Sequence, residues 1–355
     1  MGDEATGRSD GSAAVAGIEP AGVEAWFAEH APAAEPPLRF ERIAGGLSNL
    51  TFAVADRTGR RWALRRPPLG KTLGSAHDMV REHRVLSALA GTDVPVPPLV
   101  GLCEDEGVTG APFYVMEFVE GLVLRGVAEA ERHFPEESDR HAIGLRVADT
   151  LAAIHAVDPD AVGLGDLGRK EDYVARQLRR WQGQWEKSKT RELEAVDRVH
   201  ARLSARIPPQ GPATIVHGDY RLDNMILTPA GEVAAVVDWE LCTLGDPLAD
   251  LGTLMAYWPE RGEEGVALGQ PANLAPGFPD REELVARYAE RSGRDVSDVS
   301  YFLALGYWKL AIILEGVYAR YAAGAYGDAH ANLEAFAHLV ERLAEAAEEA
   351  EAGSS

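Results

Sequence analysis

The spacing of hydrophobic and polar residues changes from strand-like to helical partway along the chain. Short apolar segments separated by turns predict three antiparallel strands within residues 38–66, and segments 99–103 and 113–118 predict two more. Helical spacing of apolar residues is found at 20–29, 75–89, 139–157, 171–186, 190–206, 248–257, 281–292, 297–322 and 328–350. A group of strands followed by a group of helices is typical of an α+β fold.

Two polar clusters interrupt apolar, β-branched segments within the helical part. Asp219 is expected in a loop that leaves one strand, and Asp238 at the end of another strand, about a hairpin away. Phosphoryl transfer from ATP needs one carboxylate to accept a hydroxyl proton, and an amide with a second carboxylate to hold Mg²⁺. Protein kinases place an asparagine five residues after the catalytic base, which is the spacing from Asp219 to Asn224.

The order of these motifs along the chain resembles that of a known superfamily. His217-Gly-Asp219, Asn224, Asp238 and the later Gly245-Asp-Pro resemble the signature of the aminoglycoside phosphotransferase-like superfamily, the small-molecule relatives of protein kinases. A buried hairpin with polar turns is the alternative interpretation. The resemblance implies a bilobal protein-kinase-like α+β fold, with a five-stranded antiparallel N-lobe and a mainly helical C-lobe. We divide the chain into a disordered tail (1–17), a nucleotide-binding N-lobe (18–118) and a C-lobe with the catalytic loop and acceptor site (119–355).

The resemblance also implies roles for the loop residues. Asp219 is the expected base, Asn224 and Asp238 are the expected Mg²⁺ ligands, and His217 is expected to orient the loop. Arg221, in the same loop, is a further catalytic candidate.

A second group of candidate residues concerns the nucleotide. The glycine pair at 45–46 fits a hairpin turn as well as a phosphate cradle, but the basic strand and Glu82 that follow favour a nucleotide lid. Arg65 stands where kinases carry a phosphate-binding lysine, and the resemblance pairs it with Glu82; a solvated glutamate is the alternative. Arg66 alternates to the opposite face and is expected in solvent. The candidate cofactor-binding residues are Gly45, Gly46, Ser48, Asn49, Arg65, Glu82, Glu117 and Val119.

The last two of these lie in a segment, 114–121, that looks like the kinase hinge. Hinge contacts to the base use backbone groups, so the sequence predicts ATP without excluding GTP. A closer resemblance is to the kinase domains found alone in actinobacteria or fused ahead of some acyl-CoA dehydrogenases. It is carried by Gly45-Gly-Leu-Ser-Asn49, Leu64-Arg-Arg-Pro-Pro68, Arg81-Glu82, Phe113-Tyr-Val-Met-Glu117 and Tyr307-Trp-Lys309.

This branch implies hydroxylated acyl acceptors, whereas the superfamily name implies aminoglycosides. The acceptor site is expected along 307–320, where Lys309, Glu315 and Arg320 interrupt apolar residues. One acid and two bases suit an acyl chain with an anionic group better than a polycation. The alternative is that these side chains reach the surface or form internal ion pairs. Asp219 and Glu240 complete the candidate acceptor contacts.

The composition of the chain limits the partners and the location that can be expected. The 355 residues include 35 basic and 56 acidic side chains, and the net charge of −21 would repel nucleic acid and anionic lipid. No window approaches a bilayer-spanning run and the N-terminus lacks a signal peptide's basic and apolar regions, so we expect a cytoplasmic protein without a membrane or nucleic-acid partner. A monomer or homodimer is expected. Cys103 and Cys242 are expected as buried thiols, and His155 as a core histidine.

The expected function is ATP- and Mg²⁺-dependent phosphorylation of a small-molecule hydroxyl group. One alternative is an antibiotic, amino-alcohol or sugar kinase. A second is a catalytically silent nucleotide-binding regulator, which Arg65 makes conceivable and which Asp219, Asn224 and Asp238 argue against. A protein kinase is disfavoured because no Ala-Pro-Glu segment or long activation loop follows Asp238.

Overall fold

The structure is a computed structural model that describes residues 15–43, 49–69, 77–263, 266–267, 269–323 and 333–352. Its contacts divide the chain into two compact units, residues 1–84 with 98–118, and residues 85–97 with 119–355. The division from sequence assigned 85–97 to the first lobe instead. Within the second unit, Val236 N donates a hydrogen bond to Pro95 O at 2.8 Å, which ties this segment to the later part of the chain.

The first unit is built on a five-stranded antiparallel sheet, as predicted. Its strands are β1 (Arg39–Arg42), β2 (Leu50–Ala55), β3 (Arg61–Arg66), β4 (Leu99–Cys103) and β5 (Phe113–Glu117). The spatial order β1-β2-β3-β5-β4 places β3 in the centre. Arg65 of this central strand is opposite Thr51 on one side and Tyr114 on the other.

Helices of the first unit are α1 (Pro20–His30), the start of α2 (Met79–Leu89) and α3 (Glu106–Thr109). Helix α1 covers one face of the sheet with its apolar residues. The Phe27 ring meets Trp62 edge-on with the centroids 5.3 Å apart, and Trp26 meets Phe113 in the same way at 5.4 Å. Such aromatic pairs stabilise by about 0.5–1.5 kcal/mol beyond the area they bury. Asp78 precedes α2 and accepts a hydrogen bond from Arg81 N, as an N-cap residue does.

Arg66 corrects one expectation from the sequence. The strand alternation is right, but the face opposite Arg65 is the covered one, and Arg66 is only 4% exposed. Its guanidinium donates to Thr109 O at 2.8 Å and also to Gly17 O. Gly17 therefore has a defined contact although the sequence analysis assigned 1–17 to a disordered tail; residues 1–14 lie outside the described residues.

The second unit is mainly helical. Its helices are α4 (Val127–His133), α5 (Glu137–Ala156), α6 (Tyr173–Ser188), α7 (Glu194–Ala205), α8 (Leu248–Ala256), α9 (Arg281–Ser292), α10 (Val299–Ala322) and α11 (Leu333–Ala352). Two small antiparallel pairs accompany them, β6 (Thr214–Val216) with β9 (Thr243–Gly245), and β7 (Met225–Leu227) with β8 (Val233–Val236). The helices expected after Ser138 are present with ends shifted by a few residues, whereas α3 and α4 were not predicted. The first residues of the helix predicted at 328–350 lie outside the described part.

Helix α10 is the central helix of this unit, and α6, α7, α8 and α11 pack around it. Within the described ranges it is the one helix that is long and apolar enough to cross a membrane, so the expectation that no segment approaches this limit was wrong. In its most apolar window 67% is buried inside the protein, which is the behaviour of a core helix. Cys103 and Cys242 are buried free thiols, as predicted.

Two glycines allow α8 and α10 to approach closely. A Cβ atom added at Gly306 would lie 2.6 Å from Gly252 O, and one added at Gly252 would lie 2.2 Å from Phe302 O. Both obstacles are backbone atoms, so they cannot move aside as a flexible side chain would. The close approach fixes α8, which carries Asp250, against α10, which carries Lys309.

We therefore expect Gly306→Ala to lower the free energy of unfolding by about 1–3 kcal/mol or more, because the helices must move apart. Gly316→Ala in the same helix is the matched control, since its Cβ would meet only side-chain atoms at 3.8 Å and beyond. The control should be neutral or stabilising by about 0.5–1 kcal/mol from helix propensity. Chemical denaturation measures both, and equal effects of the two substitutions would contradict the close contact.

Candidate active site

The loop that follows β6 joins Asp219 to Asn224. Asn224 Nδ2 donates to Asp219 O at 2.9 Å and to Asp219 Oδ2 at 3.1 Å. The Asp219 side chain is 25% exposed, so its carboxylate is held by the loop while it stays open to solvent. A positioned carboxylate of this kind can accept a proton from a hydroxyl group.

The β7–β8 hairpin brings Asp238 beside Asn224. Asn224 precedes β7 and Asp238 follows β8, and Val237 N donates to Asn224 O at 2.9 Å. Asp238 has a φ of 69°, a left-handed conformation that is uncommon for a residue other than glycine and recurs at functional sites. An amide oxygen and a carboxylate thus lie at the same end of one hairpin.

Hard oxygen donors suit Mg²⁺, which is usually bound by one or two carboxylates together with substrate phosphates and water. The described residues contain no group of three His, Cys, Asp or Glu side chains that could hold a metal by themselves. Asn224 and Asp238 therefore fit a metal that arrives with a phosphate ligand, and they do not form an all-protein cage.

His217 is completely buried, and several neighbours hold its ring in place. Its Nε2 lies 3.1 Å from Val237 O, Asp219 N donates to its Nδ1 at 3.3 Å, and its ring lies 4.6 Å from the Trp239 ring centroid. A carbonyl on one side and an N–H on the other require the neutral tautomer with the proton on Nε2. These are the contacts of a residue that orients the loop.

Asp250, in the first turn of α8, is a site residue that the sequence analysis missed. Its buried carboxylate accepts hydrogen bonds from His217 N at 2.6 Å and from Gly218 N at 2.8 Å, and His155 Nε2 lies at 3.3 Å. Burial raises the pKa of Asp250, but its interactions with His155 and His217 and the hydrogen bond from Gly218 N outweigh this effect, and its pKa is lowered. The only signal in the sequence was an acid among apolar helix residues.

His155 is a buried core histidine, as expected, and its Nδ1 lies 2.7 Å from Tyr288 Oη. Its Nε2 contacts Asp250 Oδ2, the oxygen that also accepts from His217 N. A chain of buried polar contacts runs from Tyr288 through His155 and Asp250 to the backbone next to Asp219.

Lys309 holds the other side of the same loop. From α10, its Nζ donates to Gly218 O at 2.7 Å and lies 5.6 Å from the Trp181 ring centroid. Burial lowers the pKa of Lys309. Gly218 itself has a φ of +87°, and a Cβ there would lie 2.9 Å from Leu241 O, so only glycine fits. The structure places Lys309 on the backbone of the Asp219 loop, a contact that was not predicted.

Arg221 lies between two carboxylates. Its Nε is 3.5 Å from Asp219 Oδ2, another guanidinium nitrogen is 3.1 Å from Asp223 Oδ2, and the group stacks on Tyr257 at 4.8 Å. Although burial lowers the pKa of Arg221, Asp219 and its other acidic neighbours raise it more. The guanidinium therefore stays charged beside the candidate base.

The remaining acceptor candidates, Glu315, Arg320 and Glu240, lie in different surroundings. Glu315 has no exposed surface, and its Oε1 accepts from Thr190 N at 2.8 Å and from Thr190 Oγ1 at 2.6 Å. With Arg191 3.8 Å from its other oxygen, it forms the internal ion pair that was the alternative interpretation. Arg320 lies at the exposed end of α10, and Glu240 is half-buried, two residues after Asp238.

In the first unit, the predicted ion pair is present. Arg65 Nε lies 3.1 Å from Glu82 Oε2, with the two side chains 12% and 2% exposed. Arg65 also donates to Thr51 Oγ1 at 3.3 Å, so its guanidinium is fixed against the sheet. Asn49 is buried, with His77 Nδ1 2.9 Å from its Oδ1. Gly45, Gly46 and Ser48 lie outside the described residues.

At the predicted hinge, Glu117 N donates to Pro98 O at 2.8 Å, so a nucleotide contact from this residue would use its carbonyl group. The Glu117 side chain pairs with Arg60 at 2.9 Å on the surface. Val119 is the first residue of the second unit after the hinge.

A five-stranded sheet unit with a buried arginine–glutamate pair, and a helical unit with this acid–amide–acid loop, define a kinase-like phosphotransferase. Residues 39–284 match the phosphotransferase enzyme family typified by aminoglycoside phosphotransferases. The chain belongs to this family.

Individual relatives agree with this assignment. Acyl-CoA dehydrogenase family member 10 of Mus musculus is 35% identical over 88% of this chain, and the chain spans 29% of that protein's length. This confirms the resemblance to domains fused to acyl-CoA dehydrogenases. A Ralstonia eutropha protein assigned provisionally as an aminoglycoside phosphotransferase is 36% identical with a TM-score of 0.77, covering 94% of this chain and 99% of that one. A spectinomycin phosphotransferase solved with ADP and spectinomycin shares the fold, with a TM-score of 0.60 and 13% identity, covering 94% of this chain and 99% of that one.

Asp250→Asn is expected to loosen the catalytic loop. Both carboxylate oxygens accept from N–H groups, so an amide places its own N–H₂ against a donor whichever way it is turned. The free energy of unfolding should fall by about 1–3 kcal/mol, and amides of 214–224 should exchange hydrogen faster.

The control is Asp149→Asn, which weakens a partly exposed pair with Arg287. It should change stability by no more than about 1 kcal/mol and leave exchange in 214–224 unaltered. Unchanged exchange in the Asp250 variant would show that the loop does not depend on this carboxylate.

Proposed function

We propose that this protein transfers the γ-phosphoryl group of ATP to a hydroxyl group of a small molecule, with Mg²⁺ as its cofactor. The observation that carries the proposal is the hydrogen-bonded Asp219–Asn224 pair with Asp238 at the same end of the hairpin. Membership of a phosphotransferase family supports it, and so does a structure of the same fold that contains ADP. GTP is the alternative donor, because hinge contacts use backbone groups.

Each residue has a defined task in this mechanism. Asp219 accepts the proton as the acceptor oxygen forms its bond to the γ-phosphorus, while the bond from that phosphorus to the bridging oxygen breaks and the nucleoside diphosphate leaves. Asn224 and Asp238 would hold Mg²⁺, which neutralises charge on the phosphates. Arg65, fixed by Glu82, binds phosphate oxygens. His217, Asp250 and Lys309 keep the Asp219 loop in position.

For the acceptor we propose a hydroxyacyl compound. The similarity to a domain of an acyl-CoA dehydrogenase family protein supports this class. A polycation would need several converging carboxylates, and the candidate acids of α10 offer only Glu315, which is occupied by Thr190. An aminoglycoside or amino-alcohol acceptor is the alternative that the family name favours. A silent nucleotide-binding regulator is a second alternative, and the intact acid–amide–acid set argues against it.

The test is an acceptor panel of hydroxyacyl thioesters, free hydroxy acids, aminoglycosides and amino alcohols, monitored by nucleoside diphosphate release and phosphate incorporation. We expect turnover of hydroxyacyl compounds, and a loss of roughly 10²- to 10⁴-fold in kcat for Asp219→Asn with nucleotide affinity nearly unchanged. Turnover of aminoglycosides alone would overturn the acceptor class, and full activity of Asp219→Asn would overturn the base assignment.

A separate prediction concerns the metal. Asp238→Ala should remove Mg²⁺-dependent enhancement of nucleotide binding in calorimetry, because one of two protein oxygen ligands is lost. Glu232→Gln, on the exposed turn of the same hairpin, is the matched control and should bind like the wild type. Equal Mg²⁺ dependence in all three proteins would refute the assignment of Asp238.

A further inference from the structure

The second unit contains a cavity of about 280 Å³ whose walls differ in chemistry. Arg125, Arg221 and Asp223 line one part of it. Leu310 and Leu314 of α10, together with Val266 from the loop after α8, line another. A cavity lined by both charged and aliphatic side chains suits a ligand that is itself amphipathic.

The charged side of the cavity reaches the candidate base. Arg221 and Tyr257 are wall residues, and Arg221 Nε lies 3.5 Å from Asp219 Oδ2. Burial, and after it the nearby Asp219 carboxylate, raises the pKa of the Tyr257 hydroxyl. A molecule that fills the cavity therefore has its polar part next to the group proposed to accept the hydroxyl proton.

The aliphatic side is formed mostly by groups that are already desolvated. Leu310 and Leu314 are each 5% exposed and Val266 is 7% exposed. Leu310 and Leu314 lie on one face of α10 because residues four apart in a helix are neighbours. An alkyl chain placed against them would gain about 25 cal/mol for each Å² of apolar surface removed from water.

Arg125 is the cation of the cavity that the catalytic loop does not use. Arg221 is already within ion-pair distance of Asp219 and Asp223. Arg125 is exposed, its backbone N–H donates to Glu129, and in the described part of the chain no carboxylate forms an ion pair with its side chain. Its charge is close enough to lower the pKa of Asp223, against the larger opposite effect of burial.

We propose that this cavity binds the acyl chain of a hydroxylated acyl acceptor along Leu310 and Leu314, and that Arg125 binds the anionic group of the same molecule. The inference rests on the proposed function and adds its specificity site. The anion is either the carboxylate of a free hydroxy acid or a phosphate of a CoA thioester. Both present acceptor oxygens to a guanidinium, and the experiment separates them.

Two variants test the two ends of the cavity. Ala267→Phe adds a large side chain at a half-buried wall position on a loop, with Ala286→Phe on the exposed face of α9 as its control. Arg125→Gln removes the cation, with Arg132→Gln on the exposed face of α4 as its control. Each is assayed with hydroxyacyl CoA thioesters, free hydroxy acids and neutral methyl esters over a series of chain lengths, after matched thermal unfolding.

In the wild type, each added methylene should raise kcat/KM about fourfold until the cavity is filled. Ala267→Phe should abolish this gain for long chains and leave short acceptors unaffected. Arg125→Gln should raise KM about 10- to 100-fold for the anionic acceptors and not for the methyl esters. Loss confined to the thioesters assigns the anion to CoA, and loss confined to the free acids assigns it to the carboxylate.

A flat chain-length series, or an equal effect of Arg125→Gln on the methyl esters, would overturn the inference. If the protein phosphorylated other alcohols but none of the acyl compounds, the cavity assignment would be refuted. The proposed phosphotransferase function would still stand. The converse test uses calorimetry to measure the binding of acyl compounds that lack the hydroxyl group and so cannot be phosphorylated there. Binding that Ala267→Phe abolishes would support the cavity even if transfer to every acceptor in the panel failed.

Discussion

The structure of the candidate active site depends on one buried carboxylate. Asp250 accepts the backbone N–H groups of His217 and Gly218, so the chain must turn sharply just before Asp219. Gly218 can make that turn because it adopts a positive φ, and Lys309 binds its carbonyl group from the other side. A charged group in a region of low dielectric makes strong hydrogen bonds, and this one is kept ionised by the donors around it. The loop is therefore positioned by the core of the helical unit.

The packing of α8 against α10 determines where the two groups that hold Gly218 lie. The two helices touch at Gly252 and Gly306, where their backbones are in direct contact. Asp250 is two residues from one contact and Lys309 is three residues from the other. A shift of α8 would move Asp250, and a shift of α10 would move Lys309, so either shift would disturb a group that holds Gly218. Interiors packed to this density have few ways to relax, so the distance from the core to the base is fixed.

Much of the fold and the contacts within the Asp219 loop could be predicted from the sequence because their signals are local. Short apolar segments separated by turns indicated the five strands, and the apolar segments that flank Asp219 and Asp238 indicated the hairpin. What could not be predicted depends on partners far along the chain. Asp250 contacts a loop 33 positions away, and Glu315 contacts Thr190, 125 positions away. Arg66 was misplaced because strand alternation says which residues share a face, and not which face the N-terminal segment covers.

The two sources of the cavity wall bear on how acceptor choice could change during evolution. Its α10 wall belongs to a helix that also carries Gly306 and Lys309, so substitutions there affect folding and the catalytic loop at once. Other wall residues, among them Ala267 and Asn273, come from the loop between α8 and α9, where Asn273 Nδ2 donates to Pro259 O at 2.8 Å. Variation among paralogues that use different alcohols should therefore concentrate in this loop. The helix would stay constant while the substrate range diverges.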